Sequence, residues 1–173
     1  MQLQVNKLSK ISVSALFTVF AAICGILEGM LPLQLIIPVP GVKLGIANIF
    51  IVFAFKCLGA PFALAVSLAR SLLVFIFTGN TMAFALSISG ALFSFVSLYF
   101  MMKLQNKVFS YIGVSSVCAV FHGAGQIALA YIIIGSAVLY YLPVLLSVCA
   151  LTGVFTGALM NASEKKVLST FKV

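Results

Sequence analysis

Glu28, Asn48, Arg70, His122 and Gln126 are the residues of this chain best equipped for polar chemistry, and each lies in or beside a long apolar run. Ionisable groups kept inside such runs are costly to bury, so they mark ligand sites, ion paths or structural charge pairs. Arg70 offers a planar fork of donors suited to phosphate or carboxylate. His122 and Gln126 are four residues apart, which puts them on one face of a helix. Glu28 is one of two acidic residues, and the stretch after it, GMLPLQLIIPVPGVKLGIAN, carries Lys43 and Asn48. Asn80 stands in the turn TGNT, and Tyr140 and Tyr141 stand at the start of the last apolar run. Tyr141 suits stacking on a flat ring or coating an isoprenoid, and it equally suits anchoring at a membrane interface. Glu28 and Arg70 also suit a plain structural pair, because buried charges need partners.

Several chemistries are excluded. The chain has no aspartate, and two isolated glutamates cannot form the carboxylate cluster that holds magnesium on a prenyl diphosphate. There is no phosphate-cradling GxxxxGK[ST] loop. One histidine without an aspartate makes no nucleophilic triad. Cys24, Cys57, Cys118 and Cys149 show no CxxC spacing and are expected as buried thiols rather than metal ligands. The chain is therefore expected not to be an enzyme and to need no metal or cofactor of its own. Its net charge of +8 does not point to nucleic acid, since the lysines alternate between loops instead of forming one basic surface.

The elements that position these residues are read from hydropathy. Of 173 residues, 64% are hydrophobic and 7% charged, and the mean hydropathy is +1.29. A soluble domain keeps roughly 25% charged residues on its surface, so the solvent of this chain is a bilayer. The pattern predicts an all-α polytopic membrane protein in a single domain, 1–173. Six transmembrane helices are expected at about 11–31, 44–57, 61–78, 81–102, 111–135 and 138–160, the second of them short. The first is expected as an uncleaved span rather than a signal peptide. With the N-terminus inside, eight lysines fall in cytoplasmic segments and Lys43 alone in an outer loop, so both termini are expected to be cytoplasmic. Glu28, Asn48, Asn80, His122 and Gln126 then fall toward the outer side. Arg70, nine residues into its helix, lies roughly 14 Å deep. Together with Lys43 and Tyr141 they are expected to line a site for a small anionic solute. Ser14, Thr18 and Ala22 give the first helix a face of small residues, as do Gly90 with Ser94 and Gly153 with Gly157, suited to close helix packing or to docking a membrane partner.

The segments ILEGMLP, PGVKLGIANI, ARSLLVFIFTGN, SISGALFS and IGVSSVCAVFHGAGQ together resemble a family of small bacterial membrane proteins. It is known as heptaprenyl diphosphate synthase component I or as the Gx transporter family, and it resembles the substrate-binding S components of energy-coupling factor (ECF) transporters. The resemblance implies an S-component-like bundle in the bacterial cytoplasmic membrane that takes its solute from outside, a flavin or a quinone or isoprenoid precursor. It also implies docking through the first helix, at Ser14, Thr18 and Ala22, on a transmembrane T-type subunit with two ATPases that supply ATP hydrolysis. The alternative it carries is a non-catalytic membrane component of heptaprenyl diphosphate synthesis, partnered by a soluble prenyl synthase subunit.

Overall fold

The computed structural model describes residues 7–30, 47–104 and 110–170. Across these residues the chain is helical, without strands. It runs as α1 (Lys7–Met30), α2 (Asn48–Leu58), α3 (Ala60–Thr78), α4 (Thr81–Leu104), α5 (Tyr111–Ile134) and α6 (Leu142–Thr170), with a 3-10 turn at Ser136–Tyr141 leading into α6. Five segments are long and apolar enough to cross a membrane, and α2 is the shorter exception. Its 11 residues give about 16 Å of helix against a hydrocarbon core of about 30 Å. The six expected helices are thus present, but the second is a half-length one enclosed by the others. Ile51, Val52, Phe53, Ala54, Cys57 and Leu58 along it are all buried.

Local sequence accounts for the ends. The Gly59 N–H closes α2 on the Phe55 carbonyl, and Pro61 opens α3, where its missing N–H costs nothing. Gly79 ends α3 with φ 65°, a left-handed conformation that glycine enters without a Cβ penalty. Ser110 caps α5 by accepting from the Gly113 N–H. The last helix begins four residues later than the apolar pattern suggested, because Ser136–Tyr141 wind as a 3-10 turn.

Helices α1, α2 and α3 pack together, as do α4, α5 and α6. The two groups meet where α3 lies against α4 and where α2 reaches α5 and α6. One apolar cluster, including Phe17, Val52, Leu98, Val114 and Met160, joins them through α2. A second, including Leu86, Ile127, Val138 and Leu145, fills the interior of the α4–α6 group. The closest approach is between α5 and α6. A Cβ on Gly153 would overlap the Ser116 backbone, and one on Gly157 would lie 2.5 Å from the Ile112 Cα. Ser115 and Thr156 hydroxyls bond across that seam at 2.6 Å, and the Ser116 hydroxyl donates to the Ala150 carbonyl. Such contacts hold helices together in lipid, where no hydrophobic effect does so. The outer surface carries Leu92, Phe100, Ile132 and Leu151, side chains matched to acyl chains.

Candidate functional site

The first buried polar group joins three helices. Glu28 at the end of α1, Asn48 at the start of α2 and Arg70 in the middle of α3 are 3%, 4% and 3% exposed. One Glu28 carboxylate oxygen accepts the Ala47 N–H at 3.0 Å. Ala47 is the residue preceding α2, so the carboxylate meets a helix N-terminus, whose orphan N–H groups and dipole favour an anion. Arg70 Nη2 donates to Asn48 Oδ1 at 3.3 Å, and Glu28 acts electrostatically on Arg70. Two donors remain: among the described residues, Arg70 Nε and Asn48 Nδ2 have no hydrogen-bond partner, and both atoms are sealed from solvent. A buried donor without an acceptor costs about 1–3 kcal/mol, which a ligand oxygen or a water would recover.

The second group lies on α5. His122 and Gln126 are 1% and 0% exposed, and their Nε2 atoms stand 3.3 Å apart. An amide nitrogen donates, so in this geometry the imidazole Nε2 accepts. The ring lies against α4 at Gly90, where a Cβ would come within 2.9 Å of the His122 Cε1. Only a glycine leaves room there. The Ser89 hydroxyl donates to the Gly125 carbonyl at 2.7 Å, tightening the same α4–α5 contact. Helix α6 closes in beside this second group: the Cys149 Sγ sits 2.9 Å from where a Cβ on Gly123 would lie.

The remaining expected residues are placed as follows. Asn80 is exposed in the α3–α4 turn and accepts the Ala83 N–H at 2.9 Å, the work of a helix cap. Tyr141 is half-buried against the α4–α6 cluster. Lys43 lies outside the described residues. Ser14 is half-buried, Thr18 and Ala22 are buried, and Ser14 and Thr18 line a groove between α1 and α3. Among the described residues no group of three His, Cys, Asp or Glu side chains is placed to hold a metal.

Sequence reading missed the serine layer beside Arg70. Ser71 and Ser87 hydroxyls bond at 3.1 Å between α3 and α4, and the Ser71 hydroxyl also reaches the Ser67 carbonyl. The signal was faint, because a serine in an apolar helix commonly bonds to its own backbone.

The model of the heptaprenyl diphosphate synthase component I family matches residues 3–163. This chain belongs to that family. No curated protein and no solved structure matches it. Component I is one part of a synthase and not the catalytic part, and its name implies a partner subunit. Five helices long and apolar enough to cross a membrane are consistent with a multi-pass membrane protein.

Proposed function

We propose that this chain is the membrane-embedded, non-catalytic component of a heptaprenyl diphosphate synthase, working with a soluble subunit that supplies the carboxylates for catalysis. The observation that carries this reading is the family match over residues 3–163 in a chain that holds two acidic residues and no aspartate. Ionising a prenyl diphosphate needs clustered carboxylates and magnesium, so the chemistry belongs to the partner. A lengthening prenyl chain partitions into a bilayer, and this chain would receive it there, in the cytoplasmic membrane. Purification from native membranes in mild detergent tests the reading. It is supported by a stoichiometric complex with an aspartate-rich subunit that elongates prenyl diphosphates. A chain that always purifies without such a subunit would remove it.

A second reading is a solute-binding subunit of the ECF S-component type. The pair of buried, unpartnered donors at Arg70 Nε and Asn48 Nδ2 favours it. Its solute would present oxygen acceptors to Arg70 and Asn48, as a flavin or a quinone or isoprenoid precursor does, and Lys43, His122, Gln126 and Tyr141 would complete the site. A T-type subunit and two ATPases would supply energy, with Ser14, Thr18 and Ala22 toward the partner. Native mass spectrometry decides: a retained small molecule that Arg70→Met protein loses, with ATPases attached, supports it. Protein purified with neither excludes it.

A further inference from the structure

Helix α2 begins deep in the bundle. Gly59 separates α2 from α3, and Asn48 and Arg70 stand eleven residues to either side of it. At 1.5 Å per residue both are about 16 Å from that turn, roughly half of a hydrocarbon core about 30 Å thick. Lys56 in the last turn of α2 marks the Gly59 end as the interfacial one. The other end, at Asn48, turns its orphan N–H groups and positive dipole end toward mid-depth, where no water supplies acceptors. Half-length helices in membrane proteins commonly meet a ligand at such an end.

The side chains beside this helix start are short of acceptors too. Asn48 and Arg70 are both more than nine-tenths buried, and Arg70 Nη2 donates to Asn48 Oδ1 at 3.3 Å. That bond leaves Asn48 Nδ2 and Arg70 Nε without a hydrogen-bond partner. Each lies across one carbon from an atom of the bond, so the two donors are within about 8 Å of each other. One small molecule can serve both. Solvent does not reach either atom, so the acceptor must be something taken into the bundle.

Charge narrows the class of acceptor. Glu28 lies within electrostatic reach of Arg70, and its carboxylate also takes the Ala47 N–H at the head of α2. Both positive features of the group therefore face a carboxylate already. A phosphate or diphosphate would bring further negative charge beside Glu28, and excess charge in low-dielectric surroundings is heavily penalised. An uncharged carbonyl oxygen supplies the missing acceptor and adds no charge.

From these observations we infer that the head of α2, with Asn48 Nδ2 and Arg70 Nε, binds an uncharged carbonyl oxygen of a small solute and disfavours phosphate. The inference deepens the solute-binding reading and rests on it, not on the synthase reading. It fixes the polar group that such a solute presents.

Infrared spectroscopy tests it with the full chain in lipid nanodiscs. The probe is acetophenone, isotope-labelled at its carbonyl carbon so that its band stands clear of lipid esters and protein amides. The expected result is a second, saturable carbonyl band at lower wavenumber, the mark of a hydrogen-bonded carbonyl, which empty nanodiscs do not give. α-Methylstyrene, with a methylene group in place of the oxygen, should bind about tenfold more weakly as a competitor, equivalent to about 1.4 kcal/mol. Inorganic phosphate at the same excess should not compete. Arg70→Lys, which keeps the cation and drops the Nε–H, should weaken saturation about tenfold, and so should Asn48→Leu. Ser71→Ala, in the neighbouring serine pair, should leave it unchanged.

Competition by phosphate would show that the site takes an anion and overturn the inference while the solute-binding reading stands. A wild-type protein with no shifted band, or with one equally strong in both variants, would leave the donors to internal water and overturn it as well. Where a variant does not fold, the competition on wild-type protein still decides. Native mass spectrometry of the same sample reports separately whether any solute is retained, so a failed reading and a wrong ligand class are different results.

Discussion

Removing one charge from the Glu28–Arg70 group is the sharpest test of the interior geometry. Arg70→Met keeps much of the apolar stem of the side chain but removes its cation, which lies within electrostatic reach of Glu28, and leaves Asn48 Oδ1 without its donor. Losing a partner from a buried polar group costs about 1–3 kcal/mol. For a chain of this size each 1 kcal/mol moves the melting temperature by about 2–4 °C, so a fall of at least about 2 °C is expected. Glu28→Gln is the informative partner, because its amide oxygen can still accept the Ala47 N–H while the charge is gone. That variant should also lose stability, since Arg70 then stands uncompensated. In the double variant both charges are absent, and the loss should fall short of the sum of the single losses by more than about 1 kcal/mol. Thermal unfolding followed by size-exclusion of a fluorescent fusion in detergent gives all four values. Strictly additive losses, or an Arg70→Met protein as stable as the parent, would refute the coupling of α1 to α3 through these charges.

Three further outcomes follow from the same contacts. Gly90→Ala should destabilise by about 1–3 kcal/mol through overpacking against the His122 ring and backbone, read by the same melting assay. Gly157→Leu should separate α5 from α6, reducing the yield of folded monomer on size-exclusion more than Leu159→Ala at a lipid-facing position does. Asn80→Ala should cost about 1 kcal/mol as a lost cap of α4, while leaving any bound molecule seen by native mass spectrometry unchanged.

How far the sequence reaches differs between features. Hydropathy locates the helices because a bilayer demands long apolar runs with satisfied backbones, and α1, α3, α4 and α5 follow those runs closely. It says less about α2, whose apolar residues meet other helices on every side, so composition alone does not tell a short enclosed helix from a span. The Gly153–Gly157 pair was legible as a close-approach face, for internal packing or for a partner, and the coordinates place it against α5. Counting residues put Asn48 near the outer surface and Arg70 near mid-membrane. Their hydrogen bond and the Glu28 contact with the start of α2 needed three-dimensional coordinates, since rotation of α1 and α3 about their axes is set by packing and not by length. Asn80 was read as a site residue and as a turn residue, and its bond to Ala83 belongs to the turn. The Ser71–Ser87 bond was invisible for the same rotational reason.

The measurement closest to the central claim is the rate of 35-carbon prenyl diphosphate formation by the partner subunit in vesicles, with and without this chain. In its proposed role the chain should raise that rate or lengthen the product, and it should show no prenyl transfer by itself. Equal rate and equal chain length in its absence, or transfer by this chain alone, would contradict the account.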